Sequence, residues 1–204
     1  VLAETIETKD RFMRGHARRV AFYSSLIAER LYLSAEEQTR IRIAGFLHDI
    51  GKVGVPTDLL LRNGALGREE REIVEQHAEI GSRLLKPLDI PASVATAIHH
   101  HHEWWDGRGY PDGLSGEEIP LAARIIAIAD AFDTMNWEPP YRAALDRSAI
   151  RAELRRYAGV QFDPDLVKEF LTVLESGACD GDKPLDADLL SETAAHEPVG
   201  LPAA

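Results

Sequence analysis

The sequence predicts an all-α protein. Apolar residues recur at helical spacing along most of the chain, helix start and stop residues punctuate that spacing, and no stretch alternates with the period of a strand. Val20, Ala21, Ser24, Leu26 and Ile27 mark a first long helix. A second carries Ile41, Ala44, Phe46 and Leu47. Ser34 with Glu37 three residues on is its capping box, and Gly51 is read as its C′ residue. Residues 69–85 read as one amphipathic helix with Ile73, Ile80 and Leu84 on a shared face, and Pro91 opens the next at 92–102. Residues 122–135 are almost wholly apolar, so that helix is expected at the centre. Two C-terminal helices at 147–157 and 164–174 complete the set, the last with Asp163 as N-cap and Pro164 at its first position. From Gly177 on, small, polar and acidic residues read as a flexible, disordered acidic tail (177–204) behind a domain of 1–176.

Charge and cysteine content narrow the function. A net charge of −11 over 204 residues argues against a DNA-binding or membrane-surface protein. It leaves an anionic substrate open, because bound metal ions reverse the sign locally. A lone cysteine, Cys179, allows no internal disulfide, and no apolar run approaches the ~20 residues of a membrane span, so the expected setting is cytoplasmic, with no membrane insertion.

The chemistry gathers around histidine. His99 to His102 form a run of four that continues a helical pattern, followed by two tryptophans and a glycine-rich stretch. His48-Asp49 ends a predicted helix just before Gly51-Lys52, His77 falls inside another, and Asp130 interrupts the apolar helix. An unpaired carboxylate there would be costly, so it needs a helix end or a metal. Imidazole and carboxylate without thiolate suit Fe or Mn, with Zn, Ni and Co also fitting. Two such ions side by side polarise a phosphoryl oxygen, generate hydroxide near neutral pH and stabilise the leaving oxygen.

"HDIGK" at 48–52 and "HHEWWDGRGYP" at 101–111, with His77 between them and Asp130 after, resemble the HD-GYP family, a branch of the HD phosphohydrolases that degrades cyclic di-GMP. The similarity runs over about residues 5–174 and includes "GVPTDLLLRNGALGREE" and "GLSGEEIPLAARIIAIADAFDTM". It implies an HD-domain helical bundle with additional C-terminal helices. It implies hydrolysis of cyclic di-GMP to pGpG, and on to GMP, by a two-metal-activated hydroxide. His48, Asp49, His77, His101, His102 and Asp130 match the metal ligands, with Asp49 bridging. Asp49 and Lys52 are the implied catalytic pair, Lys52 facing the scissile phosphate. Lys52, Arg62, Tyr110 and Arg142 are the implied substrate contacts. The resemblance also admits a GGDEF-type or other signalling partner at the GYP loop, and a homodimer. A metal-bound receptor with little turnover, or a hydrolase for another nucleotide, are the other readings.

His99 and His100 are expected behind the ligands or on the helix face. At least one of Trp104 and Trp105 is expected to pack on the loop, and Gly107, Gly109, Gly113 and Gly116 to serve its turns. Two departures matter. Pro139 stands where the family commonly carries the first arginine of Arg-Pro-Tyr-Arg, although Arg142 is retained. Phe12 stands where three-metal relatives place a glutamate, one helical turn before His16. Two ions are therefore expected, with His16 uncoordinated near the site.

Overall fold

The computed structural model describes residues 15–62, 64–136 and 146–179. Helix α1 (His16–Arg30) leads through a short turn to α2 (Ala35–Leu47), and a 3₁₀ turn follows at Ile50–Gly54. Next come the single turn α3 (Thr57–Leu60), α4 (Arg68–Glu75), α5 (His77–Leu85) and α6 (Ala92–His100). A glycine-rich loop and a second 3₁₀ turn (Gly116–Glu118) lead into α7 (Leu121–Asn136). Helices α8 (Arg147–Tyr157) and α9 (Pro164–Glu175) close the fold. Strand pairing among the described residues is confined to two isolated bridges, Asp106 with Ser115 and Ala158 with Phe162, so the all-α expectation holds.

The core explains the order. Helix α7 is buried along most of its length through Ile125, Ile126, Ile128, Ala129 and Phe132, as its composition predicts. Helices α1, α2, α6, α8 and α9 all pack on it. Phe132 meets Tyr23 of α1 and Phe170 of α9 edge-on, at ring separations of 4.8 and 5.1 Å. The predicted capping box closes both ways, Ser34 Oγ accepting from Glu37 N and Glu37 accepting from Ser34 N. Asp163 caps α9 with one oxygen and accepts from Arg124 of α7 with the other, at 2.6 Å. Cys179, just beyond α9, is buried with the core. The remainder of the tail lies outside the described residues.

Three local expectations are corrected. The helix read at 69–85 is two helices separated at Gln76, whose ψ of −16° is flatter than helical, and the Val74 carbonyl there accepts from the His77 ring. The helix read to residue 102 ends at His100, leaving His101 and His102 in the turn beyond it. Gly51 is not a left-handed helix terminus but lies inside the 3₁₀ turn. A Cβ there would sit 1.8 Å from the His77 carbonyl oxygen, so glycine is demanded by the close approach of α5.

Candidate metal centre

The helix ends decide which side chains meet. His16 opens α1, His48 and Asp49 follow α2, His77 opens α5, His101 and His102 follow α6, and Asp130 projects from α7. Residues far apart in sequence thus converge on one buried point. His16, His48, His77 and His101 are each 2% exposed or less, so their ring nitrogens must find partners inside the protein.

Their partners set the tautomers. His48 Nδ1 lies 2.8 Å from the Gly45 carbonyl, His77 Nδ1 2.7 Å from that of Val74, and His101 Nδ1 2.6 Å from that of Ile98. A carbonyl only accepts, so each Nδ1 donates and each ring turns its Nε2 inward; in His77 and His101, which burial keeps neutral, that Nε2 is unprotonated. These nitrogens crowd together: His77 Nε2 is 3.4 Å from His101 Nε2, and His48 Nε2 is 3.3 Å from His16 Nε2. His77 and His101 cannot supply the proton that a hydrogen bond between them needs. Converging lone pairs of this kind are stabilised by a cation.

Asp49 spans the two halves. Its Oδ1 is 3.6 Å from His77 Nε2, and its Oδ2 is 3.5 Å from His48 Nε2 and 3.9 Å from His16 Nε2. Asp130 Oδ1 is 3.2 Å from His16 Nε2 and 4.0 Å from His48 Nε2. Two donor groups result: His77, His101 and His102 in one, and His16, His48 and Asp49 in the other. The residues present therefore fit divalent metal ions at these two donor groups, with Asp49 lying between them.

The electrostatics agree. Burial keeps His101 and His102 neutral, reinforced by neighbouring imidazoles; His101 lies well below the ordinary histidine value and His102 falls to about 3. Burial disfavours the Asp49 carboxylate, but Lys52, whose Nζ donates to Asp49 Oδ2 at 2.6 Å, and His48 hold it well below the usual range. Burial likewise disfavours charge on Asp130, and His16 outweighs it. His16 is opposed by burial and lifted by Asp130 and Asp133 to about 10.

The HD domain family matches residues 1–166. The chain belongs to that family. This HD domain is 40% identical over 175 residues to RpfG, a cyclic di-GMP phosphodiesterase response regulator of Xanthomonas campestris, covering 83% of this chain and 46% of that protein. It is 39% identical over 170 residues to a cyclic di-GMP phosphodiesterase of Thermotoga maritima, with 81% and 45% covered. It is also 36% identical over 175 residues to 3′3′-cGAMP-specific phosphodiesterase 2 of Vibrio cholerae, with 83% and 33% covered. The HD-GYP resemblance read from the motifs thus holds, and the chain spans about half or less of the length of these relatives. A crystal structure of a V. cholerae cyclic GMP-AMP-specific phosphodiesterase shares the fold at a TM-score of 0.72 and 21% identity, covering 97% of this chain and 52% of that one.

Within the HD domain, all six residues read as metal ligands meet at the cluster, with Lys52 beside them. Tyr110 stacks on His102 at 4.8 Å and 27°, fixing that ring. Burial and then Glu75 push its phenol above the ordinary value, so it stays protonated. Gly109 sits where a Cβ would lie 2.2 Å from Trp104 N, which draws the GYP loop tight against the turn after α6. Arg108 lies over Trp104 and Arg124 over Trp105, at 5.9 and 5.7 Å, so both rings have partners within the fold. Arg62, expected as a substrate contact, is exposed and pairs with Glu70. Phe12, Pro139 and Arg142 lie outside the described residues. His16 lies beside the donor cluster, its Nε2 3.9 Å from Asp49 Oδ2 and 3.2 Å from Asp130 Oδ1.

Sequence reasoning missed the residues behind the ligands. Asp133 accepts from His16 Nδ1 at 2.8 Å and from Arg19 at 2.6 and 3.0 Å, forming a carboxylate–histidine pair aimed at the cluster. Glu103 is buried and accepts from the backbone N–H groups of Asp112 and Gly113, holding the GYP loop. The available signals were the ones that place Asp133 three residues after Asp130, and Arg19 three residues after His16, on shared helix faces.

Proposed function

We propose that this HD domain hydrolyses cyclic di-GMP to linear pGpG through two divalent ions, Fe or Mn. One ion would be held by His16, His48, Asp49 and Asp130, and the other by Asp49, His77, His101 and His102. The observation that carries this reading is the convergence of inward-turned imidazole Nε2 atoms on both sides of one carboxylate. When bound, the ions supply Lewis acidity and an activated water.

The chain's own residues supply the rest. Asp49 ties the two ion sites together. Lys52 sits beside Asp49, from where its Nζ would meet a phosphate oxygen. Tyr110 holds His102 in plane. A cavity of about 260 Å³, lined by His102, Trp104, Asp130, Met135 and Gln161, adjoins the cluster and gives a base room to lie beside it. Water adds to phosphorus as the P–O3′ bond breaks, and the proton passes to the departing 3′ oxygen, which opens the ring. The V. cholerae relatives support 3′3′-cGAMP as the alternative substrate.

Purified protein loaded with Mn or Fe should hydrolyse cyclic di-GMP faster than 3′3′-cGAMP. Asp49→Ala, checked for folding, should lose the metal pair and about 100-fold or more of the turnover. Near-normal turnover by that variant would overturn the metal arrangement. Preference for the mixed dinucleotide would reassign the substrate.

A further inference from the structure

A second group of donors lies on the outer side of the same helix end. We propose that His99, His100 and Asp112 form a separate site for a first-row divalent transition ion, zinc above all, that clasps the glycine-rich loop to the end of α6. The proposal does not depend on the substrate reading above.

His99 Nε2 is 3.2 Å from Asp112 Oδ2, and His100 Nδ1 is 3.6 Å from the same oxygen. All three donor atoms lie within 4.8 Å of one another. Around a tetrahedral ion with bonds of about 2.0–2.1 Å, neighbouring donors stand about 3.4 Å apart. The three atoms are therefore close to ligand spacing already. Adjacent helical residues ordinarily point about 100° apart. Here His100 is the last residue of α6 and offers its near nitrogen, while His99 offers its far one, so both reach Asp112. The two rings stand edge to face at 4.6 Å.

An ion pair between His99 and Asp112 leaves part of the arrangement unexplained. His100 Nδ1 is buried and has no hydrogen-bond partner, and the same is true of Glu103 Oε2. Glu103 Oε1 lies 3.8 Å from that His100 nitrogen. A buried imidazole nitrogen facing two carboxylates without bonding to either is costly as it stands and resolved by a cation. The C-terminal end of α6 adds its own negative potential. The site is reachable from solution, since the Asp112 side chain is 52% exposed and that of His99 22%. It is also distinct from the central cluster, because His101 turns its Nδ1 to Ile98 and its Nε2 inward.

The consequence falls on the GYP loop. Asp112 follows Pro111 and Tyr110, and Tyr110 stacks on His102. An ion on Asp112 would tie that loop from outside while Glu103 ties it from beneath.

The test is zinc alone, titrated against wild-type protein, His99→Gln and Asp112→Asn, with bound metal counted after dialysis. Wild type should hold one more zinc per chain than either variant, or hold that last zinc at least tenfold more tightly. Diffraction at the zinc edge should place an anomalous peak among His99 Nε2, His100 Nδ1 and Asp112 Oδ2. Hydrogen exchange at the Asp112 and Gly113 amides should slow on adding zinc to wild type and not to the variants. Equal stoichiometry and affinity in all three proteins, or a peak elsewhere, would overturn the proposal. Both substitutions are at partly exposed positions, and circular dichroism would verify that the variants fold.

Discussion

At the residue scale, the candidate ligands are legible because two ordered motifs, with His77 between them and Asp130 after, bracket them in the sequence. The groups that aim them were not. Asp133 looks like one more acid at the end of an apolar helix, and only the packing of α1 on α7 shows that it receives both His16 and Arg19. Its carboxylate fixes the His16 tautomer and raises the basicity of the inward nitrogen, an effect that typically accounts for 10–100-fold in metal affinity. Asp133→Asn should therefore keep the fold and weaken manganese binding by about that factor, measured by calorimetric titration. Unchanged affinity would mean that His16 contributes nothing to holding the ion. The residue one turn before His16, Phe12, offers it no carboxylate. The carboxylates that serve it come from α7 and from the turn after α2.

At the scale of elements, the helical periods were right and several boundaries were wrong, for a common reason. Apolar spacing senses which face is buried but not where a backbone carbonyl is diverted to a side chain. That diversion happens at Val74, Gly45 and Ile98, each of which accepts from the ring of the histidine three residues later. Helix continuity is given up where a ligand is oriented. The 3₁₀ turn that carries Lys52 is pressed equally hard against α5. Gly51→Ala would drive a methyl group into the His77 carbonyl and the Gly81 amide, at 1.8 and 2.5 Å. Overpacking typically costs about 1–3 kcal/mol and more against backbone, so a loss of about 3 kcal/mol or more is expected in urea unfolding. Metal binding should weaken in parallel, since His77 must move. A variant as stable as wild type would show that the turn has room the backbone positions do not reveal.

At the scale of the whole molecule, the site gives the metal-free protein a pH optimum of stability. His77, His101 and His102 are all lowered, chiefly by burial. Below their ordinary value of 6.5 the unfolded chain binds protons that the folded chain refuses, so stability falls as pH drops. His16 behaves oppositely. With a folded value of about 10, its contribution is complete below 6.5 and is lost as pH rises toward 10. Denaturant midpoints of metal-free protein should thus peak near pH 6.5–7. Saturating manganese should flatten the alkaline side, because a coordinated His16 is neutral at every pH tested. An alkaline decline of equal size with and without manganese would remove His16 from the ligand set.

The donors gather from the ends of α1, α2, α5 and α6 and from the middle of α7, so no fragment of the chain carries a complete set. An unfolded chain has nothing comparable to offer an ion, and metal binding then acts as folding free energy. At a free-ion concentration a hundred times the dissociation constant, each ion adds about 2.7 kcal/mol to the folded state. A chelator is on this account a denaturant. The amount of protein surviving proteolysis would follow the supply of metal: scarcity would remove the protein itself as well as empty its site.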